Sequence, residues 1–442
     1  MSQDIEVYRG KPPVTVVRGE AAPFGWWPAI CIALVALVDR IEYNLLAGAL
    51  PAIQREFGFD DGQAGAIATA GAIAAIALLL PAGKLADTGR RSWTVAAVVA
   101  VWAVLTVGTG LVGSYAALFG VRMLLGAAGQ LYNPPASSLL GDLYPGPSRV
   151  RAFGLERMAY FAGLPIGVIA GGALASAYGW RTGFFLVAIP GAVIALLMLT
   201  VKEPIRGIGD RLSAFYATGT ARAAAAPVAP APMIVQLRGL WRIRTLRSVV
   251  VGLSILFFGL GGLFFWMPSF YQREFGLDEA GAAAVGGGAG LVGILVGIAV
   301  GGFLGDRWHG KRIGWRVALG GWSLLFGTAG LTGAVLLTPF VPQVICFGLA
   351  NVGFAGAIAN LTAVNADVVA ASRRGLGFAV LQMVVTLGGA LGPWLIGEAS
   401  DATGSLRWAY AVVIAPLIVG SLIVLSAYRS YDTDAAAAIA ES

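Results

Sequence analysis

Twelve long apolar segments alternate with short polar stretches: residues 26–54, 62–86, 92–113, 115–143, 149–178, 181–201, 246–272, 279–304, 313–338, 340–367, 373–400 and 407–428. A bilayer core roughly 30 Å thick needs about 20 helical residues, so each segment is long enough to cross it. The pattern breaks once. Lys202-Glu203-Pro204-Ile205-Arg206-Gly207 stops the sixth segment, and an Ala/Pro-rich stretch runs from Ala223 to Pro232, a composition that reads as flexible. Ile234, Leu237, Leu240 and Trp241 then recur at helical spacing between Arg238, Arg242 and Arg244. This predicts a basic amphipathic helix, either on the inner leaflet or packed beneath a bundle. The expected organisation is an N-terminal segment 1–25, a six-helix bundle 26–201, a linker 202–245, a second six-helix bundle 246–428 and a tail 429–442.

The halves repeat each other. Gly83-Lys84-Leu85-Ala86-Asp87-Thr88-Gly89-Arg90-Arg91 follows the second segment. Gly302-Phe303-Leu304-Gly305-Asp306-Arg307 follows the eighth, with Gly310-Lys311-Arg312 close behind. Gln54-Arg55-Glu56-Phe57-Gly58 returns letter for letter as Gln272-Arg273-Glu274-Phe275-Gly276, and Ser148-Arg149 as Ser372-Arg373. The copies lie about 220 residues apart, and transporters are commonly built from such repeats. The fold class read from this is an all-α membrane protein: twelve transmembrane helices in two pseudo-symmetric six-helix bundles.

Composition agrees. Of 442 residues, 57% are apolar and 12% charged, against about 25% charged in soluble proteins. The 63 glycines suit close-packed membrane helices. The net charge of +7 does not point to nucleic acid, because its basic residues gather in alternate loops. Lys84, Arg90, Arg91, Arg149, Arg151, Arg307, Lys311, Arg312, Arg316, Arg373 and Arg374 lie on the side of the N-terminus, with the basic linker. Arg55, Arg181, Arg273 and Arg407 lie opposite. Both termini are therefore expected in the cytoplasm, and the bacterial inner (plasma) membrane is the expected location. The polar start shows no cleavable signal peptide. Cys31 and Cys346 sit in apolar segments and His309 is the single histidine, so no disulfide framework and no metal site is expected. No phosphate-binding G-x-x-x-x-G-K-[ST] occurs. No cofactor is expected, and the residues of an enzyme are not visible.

Charges inside the membrane are the candidate chemistry. Asp39 lies about 20 Å along the first helix at ~1.5 Å per residue, with Arg40 adjacent and Glu42 and Tyr43 on its face. A lone charge at the bilayer centre costs at least about 2.5 kcal/mol, so these groups need partners or water, and Arg122 of the fourth segment is the obvious one. Two readings stay open: Asp39 or Glu42 is a titrating carboxylate that couples protons, or the charges form a permanent pair that sets packing. Glu156 and Arg157 form a second pair, read as structural. Asn133-Pro134-Pro135 interrupts the fourth helix, as a flexible point or a static kink. Phe257, Phe258, Phe264, Phe265, Trp266 and Phe270 crowd the seventh segment, lining a cavity or facing lipid and core.

The G-x-L-x-D-x-x-G-R-R stretch between segments 2 and 3, with Arg122-Met123-Leu124-Leu125-Gly126, resembles the major facilitator superfamily over nearly the whole chain. Asp39-Arg40, Leu50-Pro51-Ala52-Ile53, Tyr132-Asn133-Pro134-Pro135, Gly141-Asp142-Leu143, Gly179-Trp180-Arg181 and Lys202-Glu203-Pro204 resemble its spinster branch. One departure is that Gly129-Gln130 stands where that branch carries Gly-Glu. The resemblance implies a secondary transporter, and the buried charges make proton coupling through Asp39 or Glu42 the expectation. Its substrate would be an amphipathic lipid such as a lysophospholipid, and the chain a monomer in the bilayer. A drug exporter or an organic-anion transporter is the alternative. The implied substrate cavity comprises Arg40, Tyr43, Arg122, Gln130 and Asn133, with Phe264 and Trp266. The implied conformational latch comprises Gly83 and Asp87, facing Arg373; Arg90, facing Asp142; and Asp306, with Lys311 or Arg312 facing Asp367.

Overall fold

The structure is a computed structural model. It describes residues 2–8, 12–17, 20, 22–78, 90–144, 146–206, 208, 212, 215, 233–308, 314–369 and 374–440. After a hairpin of β1 (Ser2–Ile5) and β2 (Val14–Val17), the chain is helical: α1 Trp27–Phe57, α2 Asp61–Ala77, α3 Arg91–Leu111, α4 Tyr115–Leu131, α5 Asn133–Leu143, α6 Gly146–Tyr178 and α7 Trp180–Leu199. Then come α8 Met233–Arg242, α9 Arg244–Phe275, α10 Glu279–Trp308, α11 Trp315–Leu336, α12 Phe340–Val368, α13 Arg374–Thr403, α14 Leu406–Ala411, α15 Ile414–Ser426 and α16 Tyr431–Ala440. Among the described residues nine helices are long and apolar enough to cross a membrane. The remaining predicted segments have visible reasons to differ. α1 carries Asp39, Arg40 and Glu42 mid-helix, segment 4 is divided at Tyr132, and α2 is described to Ala77. The protein is an integral membrane protein of many spans.

The chain forms two compact units, residues 1–46 with 73–229, and 47–72 with 230–442. In the first, α6 packs on α1 through glycines one turn apart. A Cβ on Gly163, Gly167 or Gly171 would stand 2.7, 2.4 or 2.3 Å from the carbonyl oxygens of Leu37, Ile41 and Leu45. Backbone oxygens cannot swing away, so only glycine permits this approach. Lipid gives helices little hydrophobic drive to associate, and close contact of this kind replaces it. Gly167→Val is expected to cost about 1–3 kcal/mol through overpacking, read as a lowered Tm of the detergent-purified protein.

The hairpin was not legible as structure beforehand. It pairs Ser2 with Val17 and Ile5 with Val14, antiparallel. Ile5, Val7 and Val16 bury against Ile208, Leu212 and Phe215 of the linker, so the terminus and linker make a small core of their own. In the second unit, residues 47–72 pack on α9 and α13. Thr69 Oγ1 donates to Ala390 O at 2.6 Å, and a Cβ on Gly65 would meet Pro393 O at 2.3 Å.

Candidate functional site

The middle of α1 holds charge because partners surround it. Arg40 donates through Nε and Nη2 to Asp39 Oδ2 at 2.8 and 2.6 Å. Its guanidinium lies 4.8 Å from the Tyr160 ring centroid and 5.1 Å from that of Tyr43, so cation–π contact supplements the pair. The Tyr132 hydroxyl donates to Asp39 Oδ2 at a long 3.5 Å. Gly129 gives the carboxylate room on α4, where a Cβ would stand 3.1 Å from Asp39 Oδ1. Beside it lies a void of about 10 Å³ bordered by Val35, Val38, Trp102, Gly129 and Tyr132, enough for one water at most. Glu42 and Arg122 form a separate ion pair, 2% and 6% exposed.

The expected contacts are thus sorted differently from the sequence reading. Arg122 serves Glu42, and the partner of Asp39 is its own neighbour Arg40. Adjacent residues sit on different helix faces, but the long guanidinium folds back. Tyr43 lies half-buried under Arg40, and Asn133 begins α5. Tyr132 separates α4 from α5, so the predicted helix break stands at the prolines. Trp266 is a correction: it is fully buried in the second unit, donating Nε1–H to Pro393 O at 2.8 Å, and so it serves packing rather than lining a cavity. Phe264 is half-buried, its ring against Gly290. Glu156 is buried, but Arg157, 3.3 Å away, has a side chain 54% exposed, so this pair is buried on one side alone. The Gln130 side chain lies outside the described residues.

At the end of α5, the guanidinium on Asp142 comes from Arg91, not Arg90. Arg91 is 1% exposed and binds Asp142 at 2.5 Å, Glu203 at 2.8 Å, Ser138 Oγ at 2.8 Å and Pro204 O at 3.0 Å. Arg90 precedes α3 and lies over the Trp93 ring at 5.1 Å. In the other unit Asp367 pairs with Arg316 at 3.2 Å and accepts from the Tyr431 hydroxyl at 3.0 Å, where Lys311 or Arg312 was expected. Both pairs obey one step, since 316 − 91 and 367 − 142 are each 225. Arg91 and Arg316 both stand in the first turn of their helices, α3 and α11, and that shared position finds both pairs. Gly83, Asp87, Lys311, Arg312 and Arg373, with the side chain of Asp306, lie outside the described residues. Arg91→Gln is expected to cost about 2 kcal/mol by stranding two carboxylates, and Arg90→Gln less than about 1 kcal/mol. Thermal unfolding of the two variants side by side checks this.

The letter-for-letter repeat also acquires a structure. Gly58 and Gly276 end α1 and α9 with φ near +68° and +67°, each N–H returning to Gln54 O or Gln272 O. Left-handed residues of this kind are the usual glycine helix stop. The arginines then cross between repeats. Arg273 grips Asp61 with two bonds of 2.5 and 2.7 Å, and Arg55 pairs with Glu279. The differences 273 − 55 and 279 − 61 are both 218, so the two pairs are reciprocal copies. Gln54 at 2.9 Å and Ser400 at 2.7 Å also donate to Asp61, and Asp401 accepts from Gly62 N at 2.6 Å. Asp61 precedes the apolar segment 62–86. Burial would raise its carboxyl, but the bonds from Arg273, Gln54 and Ser400 hold it below the ordinary carboxylate value.

The sequence profile of the Major Facilitator Superfamily matches residues 32–327 and 295–440. Protein spinster of Drosophila melanogaster is 26% identical over 59% of this chain and 42% of its own length. A puromycin resistance protein of Streptomyces alboniger is 32% identical over 42% of this chain and 38% of its own. The chain spans less than half the length of these curated relatives. A crystal structure of a bacterial homologue of the human lysosomal transporter spinster, inward-facing and unoccupied, superposes with a TM-score of 0.82. It is 22% identical, over 92% of this chain and 98% of that one.

Proposed function

The chain belongs to the Major Facilitator Superfamily, spinster-like and a secondary transporter rather than an enzyme, and we propose that it moves an amphipathic lipid, such as a lysophospholipid, coupled to protons. The observation that carries the coupling is Asp39, 8% exposed in the middle of α1 and held by Arg40. A buried carboxylate facing a cation beside a water-sized void can change charge when the helices around it move. Protonation would release Arg40, whose remaining contacts are the Tyr160 hydroxyl and two aromatic rings. Glu42, tied to Arg122, is the second coupling group. Arg40, Tyr43, Arg122, Gln130 and Asn133 form the polar part of the substrate path, and Phe264 belongs to its apolar part. The lipid class rests on the likeness to spinster proteins.

In this reading both termini and the linker face the cytoplasm of a bacterial cell, by the excess of Arg and Lys on that side, and the protein works as a monomer. The two six-helix bundles are 26–201 and 246–428. Arg91–Asp142 and Arg316–Asp367 brace the cytoplasmic ends of their bundles. The latch that the resemblance implies adds Asp87, Asp306, Arg373 and Arg312, and Asp61–Arg273 with Arg55–Glu279 tie helix ends together on the other side.

One observation favours a second reading. Relatives at 32% and 30% identity are a puromycin resistance protein and a tetracenomycin C resistance and export protein, both of Streptomyces, so drug export is the alternative. Thermal stabilisation of the purified protein by lysolipids, sphingoid bases and common drugs, followed by uptake in proteoliposomes under an imposed pH gradient, separates the two. Lysolipid stabilisation with gradient-driven uptake is expected. Ligands that are all small and hydrophilic would defeat the lipid reading.

A further inference from the structure

A groove of about 710 Å³ lies where α8 meets the start of α9, against the end of α15 and the turn into α16. Four arginines line it: Arg242, Arg244, Arg247 and Arg429. None has an ion-pair partner among the described residues. The one carboxylate in the lining, Asp434, is already used, because it accepts from Thr245 N at 2.8 Å, while Thr245 Oγ1 and Ser430 Oγ share a bond of 2.8 Å. Four guanidiniums against the single carboxylate of Asp434 leave the site net positive, and an entering anion relieves their repulsion.

Two further features say which anion. Val251 and Ile423 join the lining, and both belong to helices that cross the membrane, so the groove is cationic at one end and apolar at the other. α8 itself leaves Val235 and Trp241 56% and 48% exposed next to Arg238 and Arg242. Such a helix lies at a lipid interface, with aromatic and cationic side chains at the headgroup level. A free inorganic anion has no use for the apolar end, and a membrane phospholipid uses both.

We infer that this groove binds the headgroup of an anionic phospholipid, its phosphodiester on the guanidinium forks of Arg244 and Arg247 and its acyl chains along Val251 and Ile423. Guanidinium matches phosphate oxygens two at a time, and basic pockets at the ends of membrane helices take anionic lipids. This site is separate from the charges of α1 and does not depend on what the transporter carries. Naming the leaflet as the inner one rests on the orientation proposed above.

The test uses the full chain, purified in detergent, with phosphatidylglycerol, phosphatidylcholine or inorganic phosphate added, and counts bound lipid by native mass spectrometry. Phosphatidylglycerol is expected to bind and to raise Tm, and phosphatidylcholine to do neither. At about fivefold for each basic residue near the surface, R244Q/R247Q should weaken phosphatidylglycerol binding about 30-fold. R151Q/R307Q removes the same charge from exposed positions outside the groove and off α8 and should stay within about threefold of wild type. Equal losses in the two double variants would show general surface charge and overturn the site. So would wild-type binding in R244Q/R247Q, or stabilisation by inorganic phosphate equal to that by the lipid. If R244Q/R247Q does not fold, R244K/R247K decides. It keeps the charge and loses the fork, and it should bind several-fold more weakly; unchanged binding overturns the assignment.

Discussion

Replacing Asp39 by asparagine is expected to leave a folded transporter that no longer responds to a pH gradient. Among the described residues the groups facing Asp39 are Arg40, Glu42, Tyr132 and, through Arg40, Tyr43 and Tyr160. Of these, Glu42 is the one other carboxylate, and it is engaged by Arg122. Glu156, a turn from Tyr160, is a third. One coupled proton allows about tenfold accumulation for each unit of pH gradient, so the loss is the whole of that factor, while exchange without a gradient continues. The asparagine leaves Arg40 without its carboxylate, which is costly in the membrane. Asp39→Asn with Arg40→Gln removes both charges and separates a folding defect from lost coupling. Gln130→Glu restores the carboxylate seen in the spinster pattern and should add a second titration shared with Asp39. The measurement is proteoliposome uptake against internal pH. Gradient-driven accumulation that survives in Asp39→Asn would move the coupling role to Glu42 or Glu156.

Much of this arrangement could be read in the amino-acid sequence, and the failures have physical reasons. Long apolar runs force helices, so segment count and positions follow from length and hydropathy. The prolines after Tyr132 forced the break in the fourth helix. Charges are harder, because a guanidinium on a long stem reaches several neighbours. Spacing alone set Arg122 before both carboxylates, and packing gave Glu42 to it. Arg90 and Arg91 are adjacent in the sequence, and a helix start turns one inward and the other outward. Trp266 reads as core or lipid-facing more readily than as a cavity wall, and its indole N–H on Pro393 O puts it in the core. The hairpin shows in hindsight through the β-branched run Val14-Thr15-Val16-Val17. The partners that bury it, Ile208, Leu212 and Phe215, lie about 200 residues away, beyond any local pattern. Gln-Arg-Glu-Phe-Gly shows the repeat, but the acid that each arginine takes, Glu279 for Arg55 and Asp61 for Arg273, begins the helix that follows the other copy.

That crossing leads to the second large expected effect: Arg273→Gln should shift the protein toward an outer-open state on the order of 100-fold. Two charged hydrogen bonds to Asp61 are lost, about 1.5–3 kcal/mol each. Arg273 has a side chain 43% exposed, which discounts the total to about 3 kcal/mol. The reciprocal Arg55→Gln should do far less, because Arg55 is 59% exposed and such pairs contribute about 0–1 kcal/mol. Symmetry of sequence thus coexists with asymmetry of effect, decided by burial. Asp61→Arg combined with Arg273→Asp should recover most of the closure. Distances between spin labels at Gln63→Cys and Ala402→Cys, both exposed near the cluster, report the opening; unchanged distributions in Arg273→Gln would remove the latch role. The pH dependence has a definite sign. Asp61 bound to Arg273 sits below its ordinary value of about 3.9, so its contribution is complete above that value and is lost as pH falls through the depressed one. At neutral pH the Asp61–Arg273 pair is therefore fully formed and indifferent to protons. A pH response near neutrality would have to come from other groups, and the coupling role proposed for Asp39 is what the Asp39→Asn transport assay tests.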